Sequence, residues 1–97
     1  MADESLAVER TDNGASGAYT IALDGGEQAE LTWTQRDGVR SANHTYVPPA
    51  MRDRDIAVRL VGALIADARD HGFKVRPACS YVARAFDQHP EWSELRA

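Results

Sequence analysis

The chain divides into two halves that differ in the spacing of their apolar positions. From residue 5 to residue 47 apolar and polar residues alternate, the two-residue period of strands. "LAVERT" (6–11) is a weak first candidate and closes in the turn-rich "DNGASG". "AYTIAL" (18–23) follows and ends at Asp24-Gly25-Gly26, residue types that favour tight hairpins. "QAELTWTQ" (28–35) sets Ala29, Leu31 and Trp33 on one face and Glu30, Thr32 and Thr34 on the other, a half-buried strand. Asp37-Gly38 marks the next turn, and "VRSANHTYV" (39–47) is the fourth strand. Three hairpin-type links in succession predict an antiparallel meander.

The second half takes a helical period. Ile56, Leu60, Leu64 and Ala68 recur every four residues, and Val61 and Ile65 widen the apolar stripe. Arg59, Asp67 and Asp70 form the polar face, and Gly72 stands where helices commonly stop. "FKVRP" (73–77) predicts a short strand returning to the sheet. A second helix starts at Cys79 or Ser80, runs through "YVARAFDQH" and breaks at Pro90, leaving "EWSELRA" for a last helical turn or two. The order ββββ-α-β-α predicts an α+β domain, with helices packed on a mixed, mostly antiparallel sheet. At 97 residues, one domain spanning 1–97 with one core is expected.

Composition narrows the function classes. A net charge of −4 argues against a general nucleic-acid surface, which needs a basic face to release counterions. No apolar run approaches the roughly 20 residues needed to span a bilayer. The acidic start "MADESLAVER" shows no secretory signal pattern. One cysteine forms no internal disulfide and no cysteine-rich zinc site, and three scattered histidines suggest no metal centre. A single domain in a reducing, cytoplasmic compartment is the expectation.

Candidate chemistry gathers where the fourth strand meets the first helix. Strand, break at Pro48-Pro49 and helix start leave backbone N–H groups unpaired at a positive dipole end, a seat for phosphate. Arg52, Arg54 and Arg59 would add charge there; the plainer reading is that Asp53 or Asp55 caps the helix and the arginines are solvated. His44 on the fourth strand is either a general base or a hydrogen-bonded sheet residue. Cys79 at the second helix start is either reactive, since a helix N-terminus favours a thiolate, or a small buried apolar residue. His71 reads as a structural residue of the last helical turn, and His89, before Pro90, as a turn residue.

Four pieces in order resemble the small, single-domain GCN5-related N-acetyltransferase-like family (the YjdJ type). They are His44-Thr45-Tyr46-Val47-Pro48, Arg52 through Gly72, Lys74 through Cys79, and His89-Pro90-Glu91-Trp92, across about residues 43–95. The resemblance implies a GNAT-like fold that binds acetyl-CoA and transfers its acetyl group to an amine, here unidentified. It would pair the pantetheine with the splayed fourth strand near Tyr46 and Val47. The pyrophosphate would lie on Arg52, Asp53, Arg54, Asp55, Ile56 and Ala57, and Cys79 would stand close to the thioester. His44 is then the base candidate, and Cys79 an acid for the leaving thiol or an acyl carrier.

The chain departs from that family's pattern at the phosphate loop. The family's Arg-Gly-x-Gly-Ile-Gly/Ala is Arg52-Asp53-Arg54-Asp55-Ile56-Ala57 here, so both glycines are aspartates. Like charges about 5 Å apart at partly solvated effective dielectrics repel by roughly 1–3 kcal/mol, about one to two decades of affinity per aspartate. Ser80 stands where proline usually follows the cysteine, and Asp87-Gln88 where basic residues often precede His-Pro-Glu. An acetyltransferase with an atypical phosphate loop is expected; the alternative is a non-catalytic binding or regulatory domain that has lost CoA.

Overall fold

The computed structural model describes residues 7–49 and 55–97. Strands β1 (Glu9–Asp12), β2 (Ser16–Ala22), β3 (Gln28–Arg36) and β4 (Val39–Tyr46) precede helix α1 (Ile56–His71). Strand β5 (Lys74–Pro77), helix α2 (Ser80–Gln88) and a 3-10 segment (Pro90–Leu95) complete the chain. The sheet runs in the order β1-β2-β3-β4-β5. Neighbours are antiparallel except β4 and β5, which are parallel with α1 as their crossover. The predicted mixed, mostly antiparallel sheet with helices packed on it is therefore present.

The turns follow from their residues. Asp37 and Gly38 both take positive φ, 56° and 78°, so they close the β3–β4 hairpin as a two-residue link. Between β1 and β2, the Asn13 carboxamide oxygen accepts the N–H groups of Ala15 and Ser16. Two expectations shift. The first strand begins at Glu9, after the apolar part of "LAVERT". Asp24–Gly26 forms a 3-10 turn closed by Leu23 N–H donating to the Glu27 carbonyl, which makes the link longer than a tight hairpin.

Registered partners share a face of a sheet. Tyr19 and Ile21 of β2, Ala29, Leu31 and Trp33 of β3, Ala42 of β4 and Val75 of β5 are all buried beneath the helices. Onto them α1 lays Ile56, Leu60, Val61, Leu64, Ile65 and Ala68, the stripe read from the sequence, and α2 adds Val82 and Phe86. Gly72 ends α1 in the left-handed region, its N–H donating to the Ala68 carbonyl at 2.9 Å. Thr20, Thr32 and Ser41 lie on the opposite face, which no helix covers among the described residues.

Arg40 alternates inward at the start of β4 and is 7% exposed. Its guanidinium lies 3.6 Å from the Trp33 ring centroid and 4.2 Å from that of Phe73, and it donates to the Tyr19 hydroxyl and to Gln35. Tyr19 in turn donates to Asp67 of α1, which also receives Arg10 of β1 at 2.9 Å. Burial first, then the Asp67 hydrogen bond, pushes the Tyr19 hydroxyl well above its usual range. Partial burial works to raise Asp67, but the hydrogen bonds from Arg10 and Tyr19 outweigh it and hold its carboxyl low. This chain of four side chains ties β1, β2, β4 and α1 together.

Candidate acyl-transfer site

The ladder between β4 and β5 covers only Val39–Ala42 against Lys74–Pro77. Pro77 lacks an N–H and ends that strand, and the Ala78 N–H makes the final link to the Ala42 carbonyl at 3.0 Å. Strand β4 continues to Tyr46, while the other chain turns away through Cys79 into α2. A wedge therefore opens between the end of β4 and the start of α2.

A bulge decides what faces this wedge. The β3–β4 register shifts between Thr32 and Trp33, so that Trp33 pairs with Ala42 but Thr32 pairs with His44, leaving Asn43 as the extra residue. Without it, strict alternation from Ala42 would send His44 and Tyr46 inward. With it, Thr45 and Val47 are buried, and His44 and Tyr46 are exposed on the open face, Tyr46 at 40%. The Asn43 side chain anchors the bulge by donating to the Thr34 hydroxyl at 3.0 Å.

Cys79 is the N-cap residue of α2, half-buried, its sulfur 3.2 Å from the Thr45 hydroxyl oxygen. Cys79 and His44 are thus not brought together as a hydrogen-bonded couple: Cys79 is joined to the helix side of β4 and His44 points from the other side. Thr45 lies inside the His44–Pro48 stretch, yet nothing in the residue pattern alone marks it as a partner of Cys79. Its signal there was only its alternation with His44, and the bulge inverted the meaning of that alternation.

Beyond the wedge, α1 begins at Ile56 rather than Arg52, with Asp55 as N-cap residue. Asp55 has φ 57° and ψ 29°, a left-handed conformation, and its side chain makes no capping hydrogen bond. This corrects the capping reading for Asp55. Its backbone holds the conformation that glycine adopts most readily, and an aspartate occupies it at a cost in strain. Its carbonyl accepts the first helical bond, from the Arg59 N–H at 3.3 Å. Arg52, Asp53 and Arg54 lie outside the described residues. Ile56 is buried in the core, and Ala57 is half-buried at a groove of about 180 Å³ between α1 and α2. Asp55, Val58, Tyr81 and Arg84 also line that groove.

The remaining histidines stand apart from the wedge. His71 ends α1; His89 pairs with the Glu91 carboxylate at 2.9 Å and stacks on Trp92 with centroids 4.1 Å apart. Hydrogen bonding to His89 holds the Glu91 carboxyl below its usual range. No cluster of three potential metal ligands occurs among the described residues. No helix among them is long and apolar enough to cross a membrane.

Comparison with known proteins bears on these features together. Among curated proteins no significant match exists. In fold the chain is similar to a GCN5-like protein from Staphylococcus aureus whose structure was solved by NMR in solution. That likeness has a TM-score of 0.74 and 19% sequence identity, and covers 96% of this chain and 89% of the other. The family model for GCN5-related N-acetyltransferases matches residues 18–95, from β2 to the C-terminal 3-10 segment. With the β4–β5 wedge and the helix that follows it inside the matched span, this chain belongs to the GCN5-related N-acetyltransferase family.

Proposed function

We propose that the protein transfers the acetyl group of acetyl-CoA to an amine at the wedge between β4 and α2. The single observation that carries this reading is the early end of the β4–β5 ladder beside Cys79. A strand edge released from its partner offers backbone donors and acceptors to an extended amide-bearing chain such as pantetheine. The described residues suit that molecule: the released edge of β4 runs to Tyr46, and α1 starts with a left-handed residue at Asp55. Acetyl-CoA then acts as donor substrate, and no metal or other cofactor is part of this reading.

The bulge gives the two sides of β4 different work. His44, exposed on the open face, takes the proton of an amine arriving from that side. The new N–C bond forms as the thioester C–S bond breaks, and a β4 backbone N–H polarises the acetyl oxygen. Cys79, on the inner side, delivers a proton to the leaving thiolate and regains it through Thr45 and solvent. Proximity of donor and acceptor supplies much of the acceleration. Single-domain organisation and a cytoplasmic setting, where one cysteine stays reduced, belong to this reading, with no nucleic acid or membrane as partner.

The test measures thiol release from acetyl-CoA with a panel of amines: amino acids, polyamines and lysine peptides. His44→Gln is expected to lower turnover above the pH at which an imidazole loses its proton and to matter least at low pH, where the base is protonated in the wild type as well. Cys79→Ala is expected to lower turnover with the fold intact. Unchanged turnover in Cys79→Ala removes that residue from the mechanism. An acetylated Cys79 seen by intact mass spectrometry without acceptor would make it an acyl carrier instead of an acid. The Asp55 carboxylate at the groove favours a second reading, a non-catalytic binding domain. Absence of measurable CoA binding by the wild type would establish that reading.

A further inference from the structure

The face of the sheet turned away from the helices carries charge of opposite sign at its two ends. Alternation from the inward residues Leu31 and Trp33 sends Glu30, Thr32 and Arg36 of β3 outward on that face. Glu30 stands directly between Thr20 of β2 and Tyr46 of β4, and Glu9 of β1 continues the same row beside Thr20. Arg36 lies about 20 Å further along β3. Arg76 of β5 joins that end, donating to the Ser41 hydroxyl at 3.4 Å. A small cation therefore meets attraction at the Glu30 end and repulsion at the other.

The Asn43 bulge brings His44 to the acidic end. Thr32 lies directly opposite His44, so Glu30 is the diagonal neighbour of His44 on the same face. Diagonal neighbours have Cα atoms roughly 7–8 Å apart, within reach of long side chains. Tyr46, 40% exposed, completes the corner directly across from Glu30. Without the extra residue, His44 and Tyr46 would face the core and Glu30 would have neither beside it. A carboxylate next to an aromatic ring suits an ammonium group, the one by a charged hydrogen bond and the other by the negative face of the ring.

We propose that Glu30 and Tyr46 hold a second ammonium of the acceptor, so that the protein acetylates diamines and longer polyamines in preference to amines with a neutral or anionic tail. This rests on the acetyl-CoA reading above. One nitrogen gives its proton to His44 and bonds the acetyl carbon as the thioester C–S bond breaks; the other stays protonated on Glu30. The products are the N-acetylated diamine and the free thiol of CoA. A short carbon chain between two nitrogens spans the diagonal from His44 to Glu30. An amine ending in a carboxylate sets like charge against Glu30, and one ending in a methyl group leaves the carboxylate without a cation.

Three amines that differ only at the far end test this: 1,4-diaminobutane, butylamine and 4-aminobutyrate, with thiol release from acetyl-CoA as the readout. In the wild type kcat/KM should fall about tenfold from the diamine to butylamine, the worth of one charge-assisted contact, and further to 4-aminobutyrate. Glu30→Gln should bring the three within about threefold, by raising KM for the diamine and lowering it for 4-aminobutyrate with kcat little changed. Tyr46→Leu should cut the preference for the diamine several-fold. Arg76→Gln changes the charge of the same face by the same amount, but its distance from Glu30 screens it, so kcat/KM for the diamine should move by less than about twofold. A diamine no better than butylamine, a preference that survives Glu30→Gln, or a gain in Arg76→Gln as large as the Glu30→Gln loss overturns the acceptor seat and leaves acetyl transfer standing. Absence of transfer to all three overturns the seat too, and calorimetric titration of acetyl-CoA then shows whether the donor reading falls with it. Circular dichroism of each variant confirms folding.

Discussion

Replacing Asp55 with glycine separates two effects that a capping aspartate would have linked. Had its carboxylate capped α1, Asp55→Gly would forfeit a hydrogen bond and a dipole interaction, about 1 kcal/mol or more. The structure shows no such bond and a backbone at φ 57°. Relief of left-handed strain, about 1 kcal/mol for an ordinary residue and less for aspartate, then favours the variant. The added freedom of glycine in the unfolded chain opposes it by about 0.4–1 kcal/mol. The two nearly cancel. A domain of this size shifts its Tm by roughly 4–8 °C per kcal/mol, so the melting temperature should move by no more than about 4 °C. Ligand affinity should not cancel. On the acetyl-CoA reading proposed above, removing one carboxylate from beside the proposed diphosphate path should tighten CoA binding by about tenfold, the lower end of one to two decades. Differential scanning calorimetry without ligand and a CoA titration read the two quantities on the same sample. A fall in Tm above about 8 °C would show that the Asp55 side chain does cap the helix. Unchanged CoA affinity with unchanged Tm would show that the diphosphate does not pass this residue.

Gly17→Ala should destabilise the protein by about 2 kcal/mol or more, because a Cβ there would meet the Thr11 carbonyl and lie 2.5 Å from the Trp33 ring. Thermal melting should show a drop of roughly 8–16 °C, and a loss under about 3 °C would mean that β1 yields freely. Gly62→Ala should stabilise α1 by about 0.5–1 kcal/mol, since the added methyl meets nothing within 4 Å and a helix-interior glycine is unfavourable; a lower urea midpoint would contradict this. The raised Tyr19 pKa makes stability pH-dependent at the alkaline end. Unfolded tyrosine ionises near pH 10 while the buried hydroxyl stays protonated, so stability should fall above about pH 10 by at most about 1.4 kcal/mol per unit. Tyr19→Phe should remove that slope, and a slope that persists would assign it elsewhere. At the acid end, the lowered Asp67 pKa contributes stability that is present above about pH 4 and lost as pH falls through the folded value. Chemical denaturation midpoints of Asp67→Asn and wild type should converge there.

Local periodicity was enough to name the elements, because burying one stripe of a helix or one face of a strand writes itself into the spacing of apolar residues. The α1 stripe from Ile56 to Ala68, its stop at Gly72 and the tight turn at Asp37-Gly38 were all legible in this way. So was the inward set Ala29, Leu31 and Trp33. The family resemblance came from ordered short motifs, and the helix start beside them was located to within a few residues.

The chemistry of the site depended on events that leave no local mark. One inserted residue, Asn43, reverses the facing of everything after it on β4. It turns His44 to the open side and Thr45 toward Cys79, a partner 34 positions away. Arg40 gave no sign of burial, since its place between Trp33 and Phe73 requires two rings from distant parts of the chain. Gly17 reads as a turn residue until Trp33 is laid across it. Asp55 shows the division most clearly. Its side chain type suggested a cap, but only the backbone geometry, set by how α1 must leave the sheet to bury Ile56 and Leu60, determines whether that carboxylate can reach an N–H group.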